Sequence, residues 1–311
     1  MTNEPYLVRL ANQLSVGLRR IDASRRDRHR EFVLSQQMPD GGFRGREGGS
    51  DLYYTGFAAR TLAILGGPTH EDCERLAAFV QSQAANRMNA IDLVSWLYTG
   101  LVVQTFGGFD PFEFSDGDWS KRFTATLESV RTDDGGYAKS DEGAVGSTYH
   151  SFLASLAYEM LGQEVPDPNT LVRFIRDRQR GDGGFVEIAP MKRSGTNPTA
   201  AAVRLLKQFD AVTDPLRDEV HQFLTQVQSS EGGFRANTRI PFADALSTFT
   251  GVLTAQELGL VDLVDSEQIK NFIVDCLEFP TGGFRAASWD NQADVEYTFY
   301  GLGIIGLLGG D

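Results

Sequence analysis

Apolar and polar positions along this chain fall into blocks of helical length, and the blocks are of two kinds. One kind keeps a charged face: residues 75–83, 121–131, 171–179, 216–228 and 266–277 space their apolar side chains three and four apart. The other kind is apolar nearly all round and rich in Ala, Gly and aromatics: residues 54–65, 94–106, 149–161, 198–209, 247–258 and 297–308. A helix with a charged face is half solvated, whereas one that is apolar all round is enclosed by neighbours. Residues 24–36, with Ser24 at the N-cap, supply the polar partner of the first apolar helix. The alternation therefore makes six pairs and predicts an all-α fold, an α6/α6 barrel (toroid) with outer and inner helices. An open solenoid of helix pairs obeys the same repeat logic. Strands are expected to be absent or minor, because no stretch sustains a two-residue alternation. Residues 1–22, with Tyr6, Leu7, Leu10, Leu14 and Leu18 on one stripe, read as a capping helix of a single domain, 1–311.

Punctuation supports the repeats. A Gly-Gly-aromatic turn recurs as Gly41-Gly42-Phe43, Gly135-Gly136-Tyr137, Gly183-Gly184-Phe185, Gly232-Gly233-Phe234 and Gly282-Gly283-Phe284, at a period of roughly 40 to 55 residues. The apolar helices align independently of that turn. One spacing joins Asp51 to Gly66, Asp92 to Gly107, Ser147 to Gly162, Gly195 to Asp210, Asp244 to Gly259 and Asp294 to Gly309. The first residue of each pair suits an N-cap and the last a left-handed terminus. For Asp51, Asp92, Asp244 and Asp294 capping is the local reading. Acids at one register of successive repeats would also converge on a rim, where they could raise one another's pKa or bind a divalent cation.

Composition narrows the function. With 311 residues, 41% of them hydrophobic, the chain can bury a large core. Its net charge of −13 and pI near 4.8 would repel phosphate backbones and anionic membranes, so no nucleic-acid partner is expected. Cys73 and Cys276 fall in different repeats, which favours a reducing, cytoplasmic setting. Residues 1–26 hold no long apolar run, so a signal peptide is not expected, and the run 301–308 is too short to span a bilayer. Phosphate-cradling glycine motifs are missing.

The stretch Gln36 to Thr55, with its Gly-Gly-Phe turn, Asp51 and Tyr54-Thr55, resembles the repeat of the prenyltransferase and squalene-oxidase family. That family builds the β subunits of protein prenyltransferases, and its relatives build squalene-hopene-type cyclases. The resemblance runs from about Ser24 to Gly310 and implies an α6/α6 barrel with an apolar funnel for an isoprenoid chain. Through Gly232 to Leu258 and Gly282 to Gly309 it is closest to the β subunit of Rab geranylgeranyltransferase. In that branch the fifth repeat carries Asp and, two residues on, Cys, and the sixth carries Asp-x-x-His-Thr; the Asp, Cys and His hold zinc. Here the Asp position is Asp244, the Cys position is Leu246, and the sixth motif reads Asp294-Val295-Glu296-Tyr297-Thr298. Zinc is therefore not expected, while magnesium would suit a rim of carboxylates. The family binds diphosphate through Arg, Lys and His. Arg235 and Arg239 stand near those positions, but the Lys falls on Pro241 and the His on Gly195. Neither Asp116-Gly117-Asp118 nor Asp133-Asp134 completes the acid motif of the cyclase branch. The resemblance also implies a helical α-subunit-like protein partner.

Aromatic residues on or near the apolar helices, Tyr53, Tyr54, Trp96, Tyr98, Tyr149, Phe249, Tyr297 and Tyr300, read singly as core and together as a cavity lining. Such a lining suits a prenyl chain and could stabilise a carbocation through ring faces. His150 is the one histidine on an inner helix and serves either as acid or base or as a hydrogen-bonded core residue; His29, His70 and His221 read as surface residues. The expected catalytic groups are Asp244, Asp294, Tyr297 and His150. Arg235, Arg239, Tyr53, Tyr54, Trp96, Tyr149, Phe249 and Tyr300 are expected to bind substrate. The function expected is isoprenoid binding, of a prenyl diphosphate or terpenoid, with non-zinc prenyl transfer or cyclase-type chemistry. The alternative is an inactive lipid-binding or scaffold protein of the same fold.

Overall fold

The computed structural model describes residues 4–113 and 119–309; Asp116, Gly117 and Asp118 lie outside the described residues. Helix α1 (Tyr6–Leu18) precedes six helix pairs. The polar member of each pair is α2 (Ala23–Leu34), α4 (His70–Gln83), α6 (Trp119–Ser129), α8 (Pro168–Arg176), α10 (Asp214–Val227) or α12 (Ser266–Asn271). The apolar member is α3 (Leu52–Ile64), α5 (Ala90–Gly107), α7 (Thr148–Met160), α9 (Thr196–Gln208), α11 (Ala245–Leu258) or α13 (Val295–Leu307). Among the described residues, β-pairing is limited to isolated bridges beside the glycine turns. Residues 266–277 do not form one regular helix: α12 passes into a π-helical segment, Phe272–Leu277.

Capping explains where the apolar helices begin. Asp51, Ser147, Asp244 and Asp294 each accept a backbone N–H three residues on, from Tyr54, His150, Ser247 and Tyr297 respectively. Asp92 does not cap. Asn89 takes the N–H groups of Ile91 and Asp92, so α5 starts early, Asp92 falls within the first turn, and the left-handed terminus is Gly108 instead of Gly107. Ser24 is likewise displaced, because Asp22 accepts its N–H and begins α2. Asp210 stands where other repeats end on glycine and adopts φ 51°, a conformation that Asp tolerates better than most residues.

Each Gly-Gly-aromatic turn is locked in one way. The aromatic residue is buried, and its N–H donates to a hydroxyl of the following apolar helix: Phe43 to Thr55, Tyr137 to Ser151, Phe185 to Thr199, Phe234 to Thr248 and Phe284 to Thr298. Gly41, at φ 88°, shows why the first position is glycine: a Cβ there would lie 2.0 Å from the Arg75 carbonyl oxygen of α4. Gly282 meets the carbonyl of Arg28 in α2 in the same manner, at 2.3 Å. The last turn therefore docks on the first outer helix.

The chain divides into two compact units, Met1–Thr124 with Leu277–Asp311, and Ala125–Cys276. In the first unit α13 packs against α1, α2 and α3, and α3 and α4 pack on α5. Gly17 and Gly306 bring α1 and α13 into backbone contact. His29 of α2, expected at the surface, is wholly buried. Its Nδ1 accepts the Gly283 N–H at 3.0 Å, its Nε2 faces Glu278 at 3.1 Å, and its ring stacks on Phe284. In the second unit α9 lies between α7 and α11, with α8 and α10 against it.

Candidate functional site

In the first unit α13 is apolar except for one charge, Glu296. Asp294 at its N-cap is buried, and its second oxygen accepts Arg46 Nε at 2.9 Å. The remaining guanidinium nitrogens of Arg46 bind both oxygens of Asp290, at 3.0 and 2.5 Å, and the guanidinium carbon stands 5.6 Å from the centre of the Tyr297 ring. Burial costs Arg46 some of its preference for charge, but the two aspartates outweigh that and hold its pKa above the ordinary value. Burial pushes Asp294 up, against the pull of the Tyr297 N–H and of Arg46.

Glu296 is strongly altered in character. Burial raises its pKa to about 7, helped by the nearby Asp294 charge and opposed by a hydrogen bond from the Tyr53 hydroxyl at 2.7 Å. Tyr53 opens an aromatic run. It packs edge-on against Tyr54 and Phe57, Phe57 meets Phe299 and Tyr300, and Tyr300 meets Tyr297. Burial, then Asp294 and Glu296, raise the Tyr54 phenol, so it stays protonated. Tyr53, Tyr54, Tyr297 and Tyr300 thus gather with Asp294 around Glu296, a residue that sequence reasoning did not single out. Arg46 was missed as well. A lone charge in an apolar helix was the available signal for Glu296, and nothing local marks Arg46. Trp96 sits elsewhere: it is wholly buried against Phe112, Trp119 and Phe123, with its indole N–H on the Val80 carbonyl.

In the second unit the candidates are dispersed in role. Both Asp244 oxygens are taken by Ser247, one by its N–H at 2.7 Å and one by its hydroxyl at 2.7 Å, and burial raises the acid's pKa. Arg235 donates to the Gln226 carbonyl of α10, Arg239 is exposed, and Phe249 is buried in α11. Tyr149 packs edge-on against His150, which is 8% exposed and whose pKa burial lowers to about 4.

A zinc site of the kind the sequence resemblance implies does not fit these residues. Leu246 offers no donor, Asp244 is consumed by Ser247, and the Tyr297 ring faces the Arg46 cation. Among the described residues no group of three or more His, Cys, Asp or Glu side chains could hold a metal ion.

The prenyltransferase alpha-alpha toroid domain matches residues 6–97, 76–259 and 120–311, nearly the whole chain. The chain belongs to this family. The geranylgeranyl transferase type-2 subunit beta of Candida albicans is 29% identical over 144 residues, a stretch spanning 44% of this chain and 41% of that protein. Two toroids of solved structure share the fold. Candida albicans protein geranylgeranyltransferase-I, complexed with GGPP, superposes with a TM-score of 0.68 at 15% identity over 89% of each chain. A type II terpene cyclase from Scytonema, in complex with geranylgeranyl dihydroxybenzoate, gives 0.60 at 15% identity over 97% of this chain and 98% of that one. Identities this low establish the toroid fold alone. No helix among the described residues is long and apolar enough to cross a membrane.

Proposed function

We propose that this toroid binds an isoprenoid against the aromatic face of α3 and α13 and acts on it by proton-initiated, cyclase-type chemistry, with Glu296 as the acid. The observation that carries the reading is the Glu296 carboxyl, with its pKa near 7 and hydrogen-bonded by Tyr53 beside that face. A carboxylic acid that keeps its proton near neutrality can deliver it to an alkene. The Glu296 O–H bond breaks, a C–H bond forms with the π electrons, and the carbocation left behind is stabilised by the rings of Tyr53, Phe57 and Tyr300. The carboxylate retains the Tyr53 hydrogen bond, and Arg46 binds Asp294 and Asp290 beside it.

Diphosphate ionisation is the weaker reading, because the Lys and His positions of the family's diphosphate site fall on Pro241 and Gly195. Likeness to a beta subunit also makes a helical α-subunit-like protein a candidate partner. Native mass spectrometry with farnesyl and geranylgeranyl diphosphates and the corresponding alcohols tests ligand class. Retention of an isoprenoid by the wild type, with Glu296→Gln retaining ligand but converting none, supports the proposal. Failure to retain any of the four would transfer support to the scaffold alternative.

A further inference from the structure

Helices α1, α3 and α5 of the first unit border a cavity of about 270 Å³ that the reading above does not use. None of Tyr53, Phe57, Glu296 and Tyr300 lines it. Its apolar wall includes Val8 of α1 with Leu101 and Phe106 of α5, and Phe106 stays 41% exposed. Its polar lining includes Ser15 and Arg19, one turn apart on α1, and Tyr98 of α5. Tyr98 is only 4% exposed, yet its hydroxyl has no hydrogen-bond partner among the described residues. The Arg60 guanidinium carbon stands 5.2 Å from the centre of the Tyr98 ring. Burial pushes the phenol up to about 12, against the pull of that cation, so the hydroxyl keeps its proton and serves as a donor.

A buried tyrosine hydroxyl ordinarily finds a partner, so an unpartnered one lining a cavity is a donor prepared for an acceptor that arrives later. The Ser15 hydroxyl and the Arg19 guanidinium are also uncommitted among the described residues. Arg19 is the one charged side chain of the lining, in a chain whose net charge is −13. Donors with a single positive charge and no carboxylate suit an acceptor that carries one negative charge. The apolar wall suits a hydrocarbon chain behind it. That chain is short, because the volume equals the share of about nine water molecules in the liquid. We propose that this cavity binds a medium-chain aliphatic carboxylate, whose head group accepts from Tyr98 and pairs with Arg19 while its chain lies on Val8, Leu101 and Phe106. The site is separate from the isoprenoid face and stands without it.

Titration calorimetry of the full chain with octanoate, octanol and octyl phosphate reads the site. Octanoate is expected to bind, and each of the other two to bind at least about tenfold more weakly, one for want of charge and one for carrying too much. Tyr98→Phe deletes the hydroxyl alone and should weaken octanoate about tenfold, the order of one hydrogen bond to a charged group. Arg19→Gln changes an exposed side chain and should weaken it by a similar factor; it decides the matter should Tyr98→Phe fail to fold. Glu296→Gln should bind octanoate as the wild type does. No octanoate binding by the wild type, or octanol or octyl phosphate binding as tightly, would overturn the proposal. Unchanged octanoate affinity in both cavity variants would overturn it too, leaving a crevice that holds only water. Loss of octanoate in Glu296→Gln would move the acid to the aromatic face and overturn the separate site, while leaving the isoprenoid reading intact.

Discussion

Glu296 concentrates the conflict between stability and use at the scale of one residue. A carboxyl whose folded pKa is near 7 keeps a proton that the unfolded chain, with an ordinary value near 4.5, gives up. Its contribution to stability is therefore fully present below pH 4.5 and is lost as pH rises toward 7. The full shift corresponds to about 3 kcal/mol before residual solvent screening trims it. Glu296→Gln should accordingly unfold at higher urea than the wild type at pH 8, lose that advantage at pH 4.5, and be catalytically dead. Equal denaturation midpoints at both pH values would show that Glu296 is an ordinary exposed acid.

His150 carries the opposite sign. Its folded pKa near 4 lies below the ordinary 6.5, so the wild type should lose more stability than His150→Phe as pH falls from 6.5 toward 4. Urea melts of the two proteins at pH 7 and pH 4.5 check this, and parallel losses would contradict it. The capping roles of Asp51, Asp244 and Asp294 were legible from spacing alone. Arg46 and the Tyr53–Glu296 bond were not, because 248 residues separate Arg46 from Asp294 and no local periodicity encodes such a pairing.

Among elements, the glycine turn does most to define the fold. In the five repeats that carry it, the turn fastens one repeat to the next by a left-handed glycine against a helix carbonyl, a buried aromatic ring, and an N–H given to a Thr or Ser hydroxyl. Thr298→Val keeps the shape of its side chain but leaves the Phe284 N–H buried without an acceptor, an expected cost of about 1–3 kcal/mol. Gly282→Ala should cost more, because φ 96° is closed to L side chains and the new methyl would strike the Arg28 carbonyl. Calorimetric melting of both variants tests the order, and a Gly282→Ala protein as stable as wild type would refute the account of the turn. All six apolar helices could be read from sequence to within a few residues, since their caps and all-round apolarity are local. The early start of α5 could not, because Asn89 and Asp92 are both competent caps and only the structure shows which one the chain uses.

For the whole molecule, repetition dictated the architecture and membership of the toroid family follows from it. The pairing of α1 with α13, and of Gly282 with α2, joins the two chain ends within one unit, as expected of a barrel and unlike a solenoid with free ends. Function depends on how individual repeats have diverged inside that frame. The fifth and sixth repeats place Leu246 and Tyr297 where the resemblance implies soft zinc ligands, and a guanidinium stands over the Tyr297 ring. The chemistry proposed is therefore proton transfer to carbon. Its most direct test is turnover of geranylgeranyl diphosphate and geranylgeraniol in heavy water, with products read by mass spectrometry. Protonation of an alkene by Glu296, in exchange with solvent, predicts one deuterium in the carbon skeleton of the wild-type product and no product from Glu296→Gln. A product free of deuterium, formed equally by both proteins, would contradict it.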